Sequence, residues 1–256
     1  MIEVAVAIGV IAILAGAVAP IALKALNQQR EQKTRENLKT AFEAMFGARD
    51  RRVANMRADY GFNPTALLPD LRLMTTRTPG TLRTYSPDGM AGGLPWGWNG
   101  PYWTGAIQTA AGTQGLPLDG WGRPLRLEYS GGAAPTCRLQ SAGVDGVFGG
   151  ANDLSFPTLA VPVSNYLGTV TVTVSRTPAS VAPLPVQVAV TSRLNGAYHY
   201  PAPNPLTAFP FSLPKLESRS WTYQVASGPV RIVVNTNDQI IDLLPGELKT
   251  LSFQFD

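Results

Sequence analysis

The sequence predicts an α+β chain: a long N-terminal helix packed on a small antiparallel sheet, followed by an antiparallel β-sandwich. Three observations predict it. Residues 4–23 carry no charge, and apolar residues at helical spacing follow them up to residue 56. Beyond residue 156 apolar and polar residues alternate in short runs, and residues 125–129 read as a first strand on the helix. With only 15% charged residues, 25 glycines and 22 prolines, the remainder of the 256 residues is turn-rich, as a chain of short strands is.

The helix comes first. Twenty uncharged residues at the helical rise span roughly 30 Å, the thickness of a bilayer core. Glu3 stands at the edge of this run, where a carboxylate is costly in lipid and needs a cationic partner. A cleavable secretory signal has a basic start and a shorter apolar core; here the start is acidic and the apolar run continues into a helix. Gly9 and Gly16 let neighbouring backbones approach closely. Pro20 removes one hydrogen bond and crowds the carbonyl of Gly16, which predicts a kink or a melted turn. Farther on, Leu38, Phe42, Met45, Phe46, Val53 and Met56 form one stripe that awaits a sheet. Glu31 with Arg35 and Lys39 with Glu43 are paired four apart. Gly61 and Pro64 predict the helix end near residues 58–62.

Nine of the 21 Lys and Arg residues fall between Lys24 and Arg57. The net charge of +4 is mild, and charge beside a helix is mostly a solvated face, so no nucleic acid is expected. Those charges follow the apolar run, and the positive-inside rule would put them in the cytoplasm. Residues 63–115 form a long loop containing three of the five tryptophans, read as a small core of its own. Cys137 is the only cysteine, which excludes an internal disulfide, and it reads as a small apolar filler. His199 is also alone, so neither a metal relay nor a nucleophile–base–orienter set can be built on it, and no enzyme activity is expected. No phosphate-cradling glycine motif follows a strand.

From residue 139 the chain reads Leu-Gln-Ser-Ala-Gly-Val-Asp-Gly-Val-Phe-Gly-Gly-Ala-Asn-Asp-Leu. Glycines around Asp145 and the pair Asn152–Asp153 let the loop fold back so that oxygens converge, which suits Ca²⁺ although the spacing is not that of an EF-hand. The alternative is an Asx-rich turn without metal. After residue 156 come the alternating runs 169–174, 186–190, 229–234 and 251–255, separated by proline-rich turns, which predict the sandwich.

Glu3, the proline seventeen residues on and the small and β-branched residues between them resemble the N-terminal signature of type IV pilins and type II secretion pseudopilins. Asn99-Gly100-Pro101-Tyr102, Leu116-Pro117-Leu118-Asp119-Gly120-Trp121-Gly122-Arg123-Pro124 and the Asp145 loop are similar to passages of the major type II secretion pseudopilin. The resemblance covers about residues 1–155. Gly120 replaces the usual proline, and Asn152 replaces an acid. The resemblance implies a pilin fold, with residues 1–26 as membrane and filament-core helix and 27–155 as the globular domain. Residues 156–256 would be an added sandwich, loosely similar to immunoglobulin-like or prealbumin-like repeats. It implies a structural calcium ion held by Asp145, Asn152, Asp153 and the carbonyls of Ala142 and Val147. Glu3, Gly9, Gly16 and Pro20 would serve assembly.

The implied function is that of a subunit of a helical filament. The subunit waits in the inner membrane as a single span, then leaves the lipid to join copies of itself in a periplasmic or extracellular fibre. Its implied partners are a leader-cleaving and amine-methylating prepilin peptidase, an inner-membrane assembly platform and minor pilins. The absence of a C-terminal disulfide and the calcium-type loop lean toward the secretion branch. The alternative is a membrane-anchored periplasmic module whose sandwich binds a carbohydrate or a protein.

Overall fold

The computed structural model of the chain describes residues 2–48, 56, 71–75, 99–109, 114–131, 135–176, 184–194, 197–199, 211–213 and 217–255. Side chains are described for these except at 2–15, 17, 184–185, 193–194, 197–199 and 211–213. The fold is a β-rich α+β arrangement, one long N-terminal helix and a body of mostly antiparallel sheets.

Helix α1 spans Ile2–Phe46 and is continuous through Pro20, so the expected melted turn is not formed. Gly16, whose carbonyl loses its donor to the proline, is exposed, and the helix runs on through the missing bond. The helix stops earlier than its stripe suggests. Gly47 adopts φ 85° while its N–H closes on the Glu43 carbonyl at 2.7 Å, a left-handed stop that ends α1 twelve residues short of the expected boundary. Met56 is itself helical and buried; Val53 and the expected end at 58–62 lie outside the described residues. Both four-residue pairs form, Glu31 with Arg35 at 2.7 Å and Lys39 with Glu43 at 3.8 Å.

The stripe of α1 packs on a three-stranded antiparallel sheet of β1 (Arg126–Ser130), β2 (Thr136–Ser141) and β3 (Leu154–Pro162), in the order β1-β2-β3. Leu38, Phe42, Met45 and Phe46 meet Cys137 and Leu139 from β2 in one core, to which the buried Trp103 adds a ring. Cys137 is fully buried there, the filler expected of it. Phe42 is the aromatic hub, 5.6 Å from the Phe156 ring and 5.2 Å from Tyr166, both edge-on. Residues 95–98 of the tryptophan-rich loop lie outside the described residues. Trp103 donates its indole N–H to the Ala106 carbonyl at 3.1 Å.

A second core belongs to the C-terminal part. Strands β4 (Leu167–Arg176), β5 (Leu184–Val186), β6 (Val188–Leu194), β7 (Ala197–His199), β8 (Phe211–Leu213), β9 (Ser218–Ala226), β10 (Gly228–Val234), β11 (Asn237–Leu243) and β12 (Leu248–Phe255) form three sheets, ordered β12-β4-β9, β11-β10-β6-β7 and β5-β8. Val170, Val172 and Val174 of β4 and Tyr223 of β9 meet Val190, Val230 and Ile232 across the gap. The changeover between the two cores lies after Tyr166, downstream of residue 155, because β3 still belongs to the helix-side sheet. The alternating run 186–190 divides between β5 and β6.

The antiparallel expectation fails at one pair: β12 runs parallel to β4, with Thr250 opposite Thr171. The turn 244–247 carries the chain from one sheet to the other, and it is fastened there by Gly246 N–H to Leu167 O at 3.0 Å and Thr169 N–H to Glu247 O at 2.8 Å. Such a crossover returns the last strand in the direction of the first.

Tyr223 makes a prediction of its own. Its ring is fully buried and its hydroxyl has no hydrogen-bond partner among the described residues, and burial pushes its pKa up to about 12. The folded value exceeds the unfolded one, so folded chain holds this proton more tightly. Its contribution is intact below pH 10 and falls by roughly 2–3 kcal/mol as pH rises through 12. Near-ultraviolet titration should show one of the eight tyrosines ionising last. Tyr223→Phe should remove that late step and raise stability by about 1 kcal/mol, since it deletes an unsatisfied buried hydroxyl; destabilisation would mean that the hydroxyl has a partner.

Candidate functional site

Two segments converge beside α1: the turn 117–123 that leads into β1 and the loop 141–153 that joins β2 to β3. The turn is built on Asp119, which is buried. Its Oδ1 accepts the N–H groups of Trp121 at 2.8 Å and Arg123 at 2.9 Å, and its Oδ2 accepts the Ser141 hydroxyl at 2.6 Å. One carboxylate therefore closes the turn and ties it to the start of the loop.

The same turn is pinned to the helix. Thr34 donates its hydroxyl to the Arg30 carbonyl at 2.8 Å and accepts the Gly120 N–H at 2.8 Å, while Asn37 donates to the Leu118 carbonyl at 2.8 Å. The approach is so close that a Cβ on Gly120 would fall 2.2 Å from the Arg30 carbonyl oxygen. This gives a physical reason for glycine there: the position needs an N–H and has no room for a side chain or ring.

In the loop, Gly143 adopts φ 59° and lies against the Asn152 carbonyl, where a Cβ would fall 2.0 Å from the oxygen. The two ends of the loop therefore touch. Asp145 Oδ1 accepts the Val147 N–H at 3.0 Å, and its Oδ2 faces the Asn152 amide at 3.4 Å. Asp153 Oδ2 accepts the Gly149 N–H at 2.7 Å. Thus Asp145, Asn152 and Asp153 are brought to one loop, Asp145 and Asn152 exposed and Asp153 half-buried.

Several features bear on whether a hard cation fits. Asp153 Oδ1 is buried and accepts no hydrogen bond from the described residues. Asp145 Oδ2 and the Val147 carbonyl flank the space beside Gly150, 3.0 and 3.6 Å from where a Cβ would sit. The Ala142 carbonyl accepts the Gly146 N–H at 3.1 Å and retains a second lone pair. Every donor in the set is oxygen, the chemistry Ca²⁺ takes. Among the described residues, no three His, Cys, Asp or Glu side chains gather as a metal group, so the side-chain set is two carboxylates and an amide. The donor set is compatible in kind with a hard cation.

With Asp119, Thr34 and Asn37, sequence reasoning missed Arg123. Its guanidinium donates to the Gly143 carbonyl at 2.5 Å and to the Val144 carbonyl at 3.3 Å, and a Cβ on Gly146 would collide with it. It clamps the loop to the turn. No spacing rule announces a bond across twenty residues between an arginine and a main-chain carbonyl; the only signal was the glycine-rich passage around it. The residues expected to serve assembly all lie on α1. Gly16 and Pro20 are exposed on α1, and Glu3 and Gly9 lie on the same helix where side chains fall outside the described residues. A cleft of about 720 Å³ separates the exposed helix from the loop, with Pro20, Leu23 and Trp121 on its apolar walls and Asn152 and Asp153 among its polar ones.

No protein-family model matches the chain, and no curated protein matches it.

Proposed function

We propose that the chain is a structural subunit of a helical filament of the type IV pilus or type II secretion pseudopilus kind. The observation that supports this reading is the division of labour along α1. Its second half buries a stripe in the core, while Val18, Ile21, Leu23 and Leu26 of the same unbroken helix are exposed, Ile21 at 70%. An apolar helix that its own domain does not cover is stable only with lipid or another helix around it. Among the described residues no helix is long and apolar enough to cross a membrane; most of the uncharged run, at residues 4–15, has no described side chains.

In this reading the run 4–23 holds the subunit in the inner membrane until assembly, when neighbouring helices replace lipid. Glu3 neutralises the amine of the next subunit, and head-to-tail association grows without closing. The prepilin peptidase, the assembly platform and minor pilins are its partners, and the finished fibre is periplasmic or extracellular. Ca²⁺ would be held by Asp145, Asp153, the Asn152 amide oxygen and the carbonyls of Ala142 and Val147, and would order the loop without taking part in any reaction.

The test is electron microscopy of material sheared from producing cells. Fibres containing this chain should appear, and Glu3→Ala should abolish them while leaving the folded subunit in the membrane. Fibres unaffected by Glu3→Ala would remove the charge-pairing step, and their complete absence in the wild type would sink the filament reading.

The metal claim is tested separately by melting. Calcium at a hundredfold excess over its dissociation constant should stabilise the chain by about 2.7 kcal/mol, and Asp153→Ala should cancel that shift. A shift unchanged by Asp153→Ala would place the ion elsewhere.

A further inference from the structure

The outer face of the β12-β4-β9 sheet presents an uncharged hydroxyl lattice. Along the central strand, Thr169, Thr171, Thr173 and Ser175 point outward, alternating with the buried Val170, Val172 and Val174. The register sets Gln224, Thr222, Ser220 and Ser218 beside them on β9. On the other side, β12 sets Leu248, Thr250, Ser252 and Gln254 against the same four. All four positions on each flanking strand are exposed.

This grid, three strands wide and four residues deep, contains no charged side chain. The nearby charges fall in the other phase of the strands: Arg176 is buried, Lys249 donates to the Asp242 carbonyl at 2.6 Å, and Arg219, opposite Val174, is exposed at the margin between Ser218 and Ser220. Positions within the grid are held rather than free. Thr171 bonds Thr222 at 3.1 Å and Thr173 bonds Ser220 at 2.8 Å, hydroxyl to hydroxyl, and the threonines are stiff about χ1. Each such hydroxyl still has donor or acceptor capacity toward a ligand.

We infer that this face is a docking surface for a neutral polysaccharide. Twelve adjoining positions without a charge form no basic patch, and one arginine at the margin is too little to hold nucleic acid, anionic lipid or an acidic peptide. It offers paired donors and acceptors at a regular repeat, about 4.8 Å from strand to strand and about 6.8 Å between same-side residues along a strand. The strand-to-strand step is close to the length of one pyranose in an extended polymer. A glycan lying across the three strands meets one hydroxyl-bearing row per sugar. The inference does not depend on filament assembly.

The experiment uses the full chain and measures co-sedimentation with microcrystalline cellulose, chitin and an insoluble β-1,3-glucan. Wild-type protein should be retained on at least one of them, and the double variant T171V/T173V, which keeps shape and β-propensity while deleting two hydroxyls, should lose at least tenfold in retention. Matching far-ultraviolet circular dichroism and melting of wild type and variant show that the sheet is folded in both. Failure to be retained on any of the three, or equal retention of wild type and variant, overturns the inference. So does self-association or shaping of ice crystals that the variant abolishes without any retention on polysaccharide, since the occupant would then be a second copy or ice.

Discussion

Gly120→Pro should destabilise the chain by about 4 kcal/mol, even though proline is the residue the pseudopilin pattern carries at this place. Two costs add. The ring would be driven into the Arg30 main-chain oxygen, which is already 2.2 Å from the site of a Cβ and belongs to a helix that cannot yield locally. Overpacking of that kind costs about 1–3 kcal/mol. Proline also deletes the N–H that Thr34 accepts, which leaves a buried hydroxyl with one bond fewer, about 1 kcal/mol or more. Thermal melting should fall by about 10 °C for a chain of this size. Gly120→Ala isolates the first cost, since it keeps the N–H, and should give about half the loss. Wild-type melting of Gly120→Ala would show that turn and helix are farther apart than described.

Asp119→Ala should cost a similar amount, about 3–5 kcal/mol, and on the calcium reading proposed above it should also weaken binding of that ion. The substitution orphans the N–H groups of Trp121 and Arg123 and the Ser141 hydroxyl at a buried position, each worth about 1 kcal/mol or more, and adds a small cavity. The metal effect is indirect. Ser141 Oγ accepts the Gly143 N–H at 3.1 Å, and Arg123 holds the Gly143 and Val144 carbonyls, so both ends of the Asp119 network position the loop that carries Asp145. Asp119→Asn retains one carbonyl oxygen for the two main-chain donors and should recover most of the stability. Calorimetry on the three proteins separates the roles: equal calcium affinity in all would leave Asp119 as a fold residue alone.

The same network explains why part of the site was legible and part was not. Asp145, Asn152 and Asp153 could be read together because they lie within nine residues among glycines, where local chain reversal is the only way to satisfy so many polar groups. Asp119, Thr34, Asn37 and Arg123 could not. Their partners are 22, 86, 81 and 20 residues away, and most of those bonds go to main-chain atoms, which every sequence position offers equally.

Periodicity by itself determined the elements. The stripe through Leu38, Phe42, Met45 and Phe46 specified a buried helix face, and the alternation in β4 specified a half-buried strand, because burial repeats with the geometry of each element. Tertiary structure decided what periodicity cannot encode. It stopped α1 at Gly47, where one backbone dihedral outweighed the apolar residues beyond. It set β12 parallel to β4, because a turn fastened between two sheets, rather than any strand's own pattern, sets that direction. It required glycine at residue 120, because the space there is taken up by a carbonyl ninety residues earlier in the chain.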